Sequence, residues 1–146
     1  MKLLAKNRRA TFDYELTERL IAGVALTGDE VKSIKAGHAS LKGSFIGLYA
    51  AEAYLINAHV TPYAKAFRKT SLDATRGRKL LLHRKQLEDL ITRKQSGLSV
   101  VPTALLQDRG FIKVEIAIGR GKKRYDKREA LKKRDTTREI ARTLKR

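Results

Sequence analysis

Between Leu20 and Leu26 apolar and other side chains alternate, with Leu20, Ala22, Val24 and Leu26 sharing one face. A period of two belongs to a half-buried strand, which predicts strand structure from Tyr14 to Leu26. Gly23 inside that run marks a bend or a close backbone approach. The polar, basic lead-in from Asn7 to Phe12 predicts a single helical turn. Thr27-Gly28-Asp29-Glu30 then reads as a capping box, a Thr N-cap with Glu three positions later. Val31 and Ile34 share one face of the short helix it opens, and Gly37 ends it. Lys32 and Lys35 project from another side, where they either solvate the helix or meet phosphates.

Phe45 to Tyr49 and Ala53 to Val60 predict two further strands joined around Ala50-Ala51-Glu52. In the second, alternation puts Tyr54, Ile56, Ala58 and Val60 on one face and Leu55, Asn57 and His59 on the other. After Pro62, residues 64–78 read as a loop with Lys65, Arg68, Lys69, Arg76 and Arg78 against Asp73 alone, a composition suited to ordering on nucleic acid. Leu80 to Gln95 predicts a helix with Leu80, Leu87, Leu90 and Ile91 as its apolar stripe and Gly97 as its stop. Leu98 to Leu106 and Phe111 to Ile118 form a hairpin around Asp108-Arg109-Gly110, with Ile112, Val114, Ile116 and Ile118 inward and Lys113 and Glu115 outward. Five or more short strands, local hairpins and two or three short helices give a mainly β fold: a small closed antiparallel barrel with flanking helices.

Charge changes that picture after Gly121. Residues 122–146 hold twelve Lys/Arg and four Asp/Glu, a net +8, and their only large aliphatics are Leu131, Ile140 and Leu144. Three such side chains build no core, so the chain divides into a body, residues 1–121, and a basic C-terminal tail, residues 122–146. The body carries a further +10 of the total +18. That is the electrostatic footprint of a phosphate-backbone binder. A membrane surface is the competing anionic partner, but the tail lacks the bulky apolar face that partner requires. No run approaches the roughly 18 apolar residues of a membrane span, and Met1 to Lys6 is too short for a signal peptide, so a cytoplasmic protein is expected.

Catalytic chemistry finds little support. The chain has no cysteine, and His38, His59 and His83 show no ligand spacing, so neither metal nor other cofactor is expected. Gly121-Lys122 lacks the remaining positions of a phosphate-binding loop, and no nucleophile–base set is visible, which points away from an enzyme. Arg109-Gly110-Phe111 begins like the aromatic motif of an RNA-recognition sheet, yet Ile112, Lys113 and Ile116 occupy positions that the motif gives to small and aromatic residues. With five Tyr, four Phe and no Trp, recognition by shape and backbone charge fits this composition better than base stacking. Folded RNA is the expected partner. A structural ribosomal protein and a general binder of structured RNA remain alternatives.

Five stretches in order carry a resemblance: Asn7-Arg8-Arg9-Ala10, LTGDEVKSIKAG at 26–37, YLINAHVTPY at 54–63, RKLLLHRKQL at 78–87 and GKKRYDKRE at 121–129. Together they resemble the small protein B family, the SsrA-binding (tmRNA-binding) proteins of bacterial trans-translation. The resemblance implies an oligonucleotide-binding-type barrel with a tail disordered when free; the tail's own helix formers, with no Gly or Pro after Gly121, predict a helix on ribosome binding. It implies binding to the tRNA-like domain of tmRNA, support of its aminoacylation, and delivery with an elongation factor to the small subunit of stalled ribosomes. There the tail would occupy the empty decoding site and mRNA channel. A monomer is expected.

On the body, the resemblance marks Asn7, Arg8, Arg9, Leu81 and Lys113 as RNA-contacting. Lys32 and Lys35 join them as candidates, as do Arg78, Lys79, His83 and Arg84 of the fourth stretch. In the tail it marks Gly121, Lys122, Lys123, Asp126, Lys127 and Arg128; Arg124 and Tyr125 join them as candidates, Tyr125 to stack on a decoding-site base, and Gly119 and Gly121 read as a flexible exit from the barrel. The sequence departs from the family at Ile21, where a Glu is common, at the Gly-less turn Ala50-Ala51-Glu52, at Gln86, and at Thr103-Ala104. A helical tail of 25 residues would span about 37 Å.

Overall fold

The computed structural model describes residues 1–62 and 74–121. Its elements are β1 (Lys2–Lys6), α1 (Arg8–Asp13), β2 (Tyr14–Val24), α2 (Gly28–Lys35), β3 (Ala39–Ser40), β4 (Phe45–Tyr49), β5 (Glu52–Ile56), β6 (His59–Val60), β7 (Arg78–Leu81), α3 (Arg84–Gln95), β8 (Ser99–Asp108) and β9 (Phe111–Gly121). Seven strands form one sheet in the order β1-β8-β9-β2-β7-β5-β4, and β3 pairs separately with β6. All described pairs are antiparallel. Among the described residues the fold is therefore mainly β with three short helices. The closed barrel is met only in part: β1 and β4 end the strand order without pairing to each other, although β4 packs against β8.

The inner face follows from alternation. Ile112, Val114, Ile116 and Ile118 of β9 are buried, and their neighbours across the sheet include Ala22 of β2, Leu80 of β7, Leu55 of β5 and Ile46 of β4. Ile34 brings α2 into this core and Leu90 brings α3. The α2 box forms as its residues require: the Thr27 hydroxyl accepts from the Glu30 amide at 3.2 Å, and the Thr27 amide donates to Glu30 Oε1 at 3.0 Å. The β8–β9 hairpin turns through Arg109 and Gly110, both at positive φ, which matches the right-handed twist of its strands.

Several expectations need correction. Alternation does not run from Ala53 to Val60, because Asn57 sits at φ +65° and resets the parity. Ala53 and Leu55 are buried before it, Ala58 and Val60 after it, and one predicted strand becomes β5 and β6. Leu80 belongs to β7, not to a helix; α3 starts at Arg84, where the His83 amide donates to Gln86 Oε1 at 3.1 Å. Arg78 starts β7 instead of lying in a loop. The amino terminus, given no strand by its pattern, adds β1 to the edge of β8.

Gly119 and Gly121 are also not a loose exit, since both pair with β2, opposite Leu16 and Tyr14. A Cβ on Gly119 would lie 2.1 Å from the Glu15 carbonyl oxygen, so glycine is required by close strand approach. The loop residues 63–73 and the whole tail, 122–146, lie outside the described residues.

Candidate nucleic-acid interface

The outward face is set by strand register. Gly23 of β2 lies opposite Leu81 of β7 on one side and opposite Lys113 of β9 on the other. Residues directly opposite one another share a face, so Leu81, Gly23 and Lys113 form one outward row across three strands. Ile21 and Lys79 flank that row, being two positions along β2 and β7. The side chains border a cleft of about 860 Å³ whose walls also include His83, Arg84 and the Ala50-Ala51-Glu52 turn.

Within the cleft, Gly23 leaves room for Leu81: a Cβ there would come 3.2 Å from Leu81 Cβ. Leu81 is 55% exposed and Ile21 40% exposed, apolar surface displayed beside cations rather than buried. Lys113 Nζ lies 6.0 Å from the centroid of the exposed Phe111 ring, at the outer limit of cation–π range. Lys79 Nζ pairs with Glu52 at 3.1 Å, and this contact together with a hydrogen bond from Tyr54 holds the Glu52 carboxyl below its ordinary range. Arg19 pairs with Glu115 at 2.6 Å on the same face. The cleft thus offers cations, a methyl-lined floor and one carboxylate already engaged, which suits phosphates and riboses.

The sequence candidates divide clearly. Lys79, Leu81, His83, Arg84 and Lys113 come together in the cleft. Arg8 and Arg9 are exposed on α1, and Arg9 meets Asp13 at 3.3 Å. That helix packs through Ala10 on Val101 and Ala117. Ala117 follows Lys113 and Glu115 on the outward side of β9, so α1 covers the same sheet face further along. Lys32 and Lys35 are exposed on α2, outside the cleft lining.

Two candidates are turned inward. Asn7 is buried; its amide donates to the Thr103 carbonyl at 2.7 Å and its side-chain Nδ2 to the Pro102 carbonyl at 2.8 Å. Arg78 is 1% exposed, on the opposite side of β7 from Lys79 and Leu81. Its guanidinium donates to Glu30 Oε2 at 2.6 Å and to the Ala58, Arg76 and Ala74 carbonyls at 2.8, 3.2 and 3.1 Å. A solvent-excluded side chain with its donors so engaged does not reach phosphate; its place is structural. Arg76 joins the same carboxylate. Burial pushes the Glu30 carboxyl up, but hydrogen bonds from Arg76, the Thr27 amide and Arg78 outweigh it and hold it below the ordinary range. Gly121 ends β9, and the tail candidates 122–128 lie outside the described residues.

Ile21, Glu52 and the Ala50-Ala51 turn belong to the site but carry no cationic signal. For Ile21 a signal existed: a large aliphatic on the face of β2 opposite Leu20 and Ala22. Among the described residues, no group of three or more His, Asp or Glu is arranged to hold a metal, and no helix is long and apolar enough to cross a membrane.

Comparison with known proteins places the chain among relatives. The sequence model of the SmpB protein family matches residues 4–146. An SsrA-binding protein of Synechococcus sp. (strain JA-3-3Ab) is 49% identical over 146 residues, covering 99% of this chain and 95% of the relative. One of Bacillus pumilus (strain SAFR-032) is 48% identical over 145 residues, covering 99% and 92%. A solved structure described as "tmRNA-SmpB: a journey to the center of the bacterial ribosome" superposes with a TM-score of 0.67 at 42% identity, over 86% of this chain and 92% of that one. Matched along almost its entire length by both the family's sequence pattern and its individual members, the chain belongs to the SmpB protein family.

Proposed function

We propose that this protein binds tmRNA through the outward cleft and carries it to stalled ribosomes. The observation that carries the reading is the row Leu81–Gly23–Lys113, in which Gly23 of β2 brings candidates from β7 and β9 into one site beside Lys79, His83 and Arg84. Family membership supplies the RNA: relatives across the family are SsrA-binding proteins, and the matching structure concerns tmRNA, SmpB and the ribosome. The tRNA-like domain is the part that suits the cleft. A folded RNA surface presents phosphates and 2′-hydroxyls in fixed geometry, which cations on a rigid sheet read by shape. Support of tmRNA aminoacylation and handover with an elongation factor belong to the same reading, as does a cytoplasmic, non-enzymatic, monomeric protein.

The open seven-strand order, with β4 packed against β8, is read as an oligonucleotide-binding-type barrel whose face carries this cleft. The tail is read as a separate element. Its +8 charge without a core fits the decoding site and mRNA channel, where ribosomal phosphates offset the entropy of ordering it as a helix. The deciding experiment has two arms. Gel shifts at stated salt compare tmRNA with ordinary tRNA; equal affinity for both overturns the assignment. Chains ending at Gly121 are then tested for tmRNA binding and for tagging of stalled peptides. Binding is expected to survive and tagging to fail, and retained tagging removes the role of the tail.

A further inference from the structure

The β4–β5 hairpin carries a second outward surface next to the cleft. Register puts Phe45 opposite Ile56, Gly47 opposite Tyr54, and Tyr49 opposite Glu52, all on the outward face, while Ile46, Leu48, Ala53 and Leu55 face the core. Phe45 is 47% exposed and Tyr49 56% exposed, although both project from a well-formed strand. Apolar rings left on the solvent side of a sheet are unusual enough to ask what covers them.

Three features make this a built surface rather than stray exposure. Gly47 is its floor: a Cβ there would lie 2.3 Å from Ile56 Cδ1 and 2.5 Å from Tyr49 Cε2, so only glycine lets the Tyr49 ring lie across the strand. The Tyr49 and Tyr54 rings are tilted by 35° with centroids 6.4 Å apart, two neighbouring faces of one platform. Tyr54 is held from the side, its hydroxyl donating to Glu52 on the same face at 3.0 Å, and Glu52 in turn pairs with Lys79 at 3.1 Å.

We propose that this aromatic platform binds unpaired nucleotides of an RNA strand continuing from the structured RNA in the cleft. The proposal deepens the RNA-binding reading above and rests on it. Continuity carries the choice of occupant. Lys79 is opposite Tyr54 and also borders the cleft, and Glu52 and the Ala50-Ala51 turn belong to the cleft wall, so the two surfaces share an edge. Charge points the same way: Glu52, the only carboxylate on the platform among the described residues, is neutralised by Lys79, within a chain of net +18. Every base offers a π-face, so stacking here needs no particular sequence.

The test compares one tmRNA tRNA-like domain with and without a five-nucleotide unpaired extension, on the full-length protein. The extension is expected to tighten binding by roughly tenfold, the worth of one stacked base. Tyr49→Ala should abolish that gain while leaving affinity for the unextended RNA unchanged, and Tyr49→Phe should keep it. A gain that is absent, or that survives Tyr49→Ala, overturns the platform. Loss of binding to the unextended domain in the wild-type chain would instead sink the cleft reading. A second measurement does not depend on tmRNA: an unstructured ten-nucleotide RNA bearing 4-thiouridine should photocrosslink to Phe45 or Tyr49. Crosslinks confined to other residues, or platform occupancy by an acidic protein that RNA does not displace, overturn the proposal as well.

Discussion

Glu30 on α2 and Arg78 on β7 form a buried ion pair, Oε2 to Nε at 2.6 Å, with 6% and 1% of their side chains exposed. The pair joins the capping box of a helix to the first residue of the strand that presents Lys79 and Leu81. Through Arg78 it also reaches the carbonyls of Ala58, Ala74 and Arg76, so one guanidinium fixes where the chain enters β7. Removing one partner of such a pair leaves the other charge buried and unpaired. Glu30→Gln is expected to cost about 3–5 kcal/mol, read as a shift in the urea midpoint at neutral pH. A shift below about 1 kcal/mol would mean that solvent reaches the site.

The same carboxyl makes stability depend on acid. Its folded pKa lies below the ordinary 4.5, so the pair's contribution is complete above that value and is lost as pH falls through the folded one. Wild-type melting temperature should therefore drop on acidification below about pH 4.5, more steeply than that of Glu30→Gln, whose amide does not titrate. Parallel acid limbs for the two proteins would remove Glu30 as the titrating group.

The strands β2 and β9 touch at Gly119, where a side chain would run into the Glu15–Leu16 peptide: Glu15 oxygen, Glu15 carbonyl carbon and Leu16 Cα all lie within 3 Å. Backbone does not move aside as a flexible side-chain tip would. Gly119→Ala is expected to destabilise by about 1–3 kcal/mol, whereas Gly121→Ala, with nothing within 4 Å, should change stability by less than about 1 kcal/mol. Equal effects at the two glycines in urea unfolding would contradict this distinction.

How legible this was in the sequence depends on whether the signal was local. The capping box at Thr27–Glu30 and the inward isoleucines of β9 follow from spacing alone, and both appear as read. The parity break at Asn57 does not, because a single left-handed residue inverts every later side chain without changing composition. The double role of Glu30 was hidden too: capping explained it fully, and Arg78 is 48 positions away. Arg78 looked like an RNA contact because a basic residue in a basic protein defaults to the surface. Only its burial beside a carboxylate reverses that reading. For the cleft, Lys79, Leu81 and Lys113 were legible one by one, but Gly23 unites them through register, which no linear pattern displays.

The turn Ala50-Ala51 closes the β4–β5 hairpin with φ of +48° and +57°, both left-handed. Alanine tolerates this badly, at roughly 1–2 kcal/mol for each residue, and two-residue hairpins of this kind favour Asn-Gly. Glycine at Ala51 relieves the strain but gives the unfolded chain more freedom, so the net gain is smaller. Ala51→Gly is expected to stabilise by about 0.5–1 kcal/mol, a rise of about 2–4 °C in Tm. A fall in Tm would show that this backbone is not strained.

Lys113 is the outward cation at the end of the Leu81–Gly23 row, and Ala22 and Val114 behind it lie in the core, so its ammonium is displayed on rigid strands. No salt bridge to it is found among the described residues, in contrast to Lys79 with Glu52. Charge reversal there adds repulsion to a lost phosphate contact. Lys113→Glu is expected to weaken tmRNA binding by tenfold or more at physiological salt. Lys113→Ala should lower the slope of log K against log salt by about one. The side chain is half-buried at the surface, so urea stability should move by less than about 1 kcal/mol in both variants, separating a binding defect from a folding one. Unchanged affinity in Lys113→Glu would move the RNA contact away from this row, toward α1 and its exposed Arg8 and Arg9.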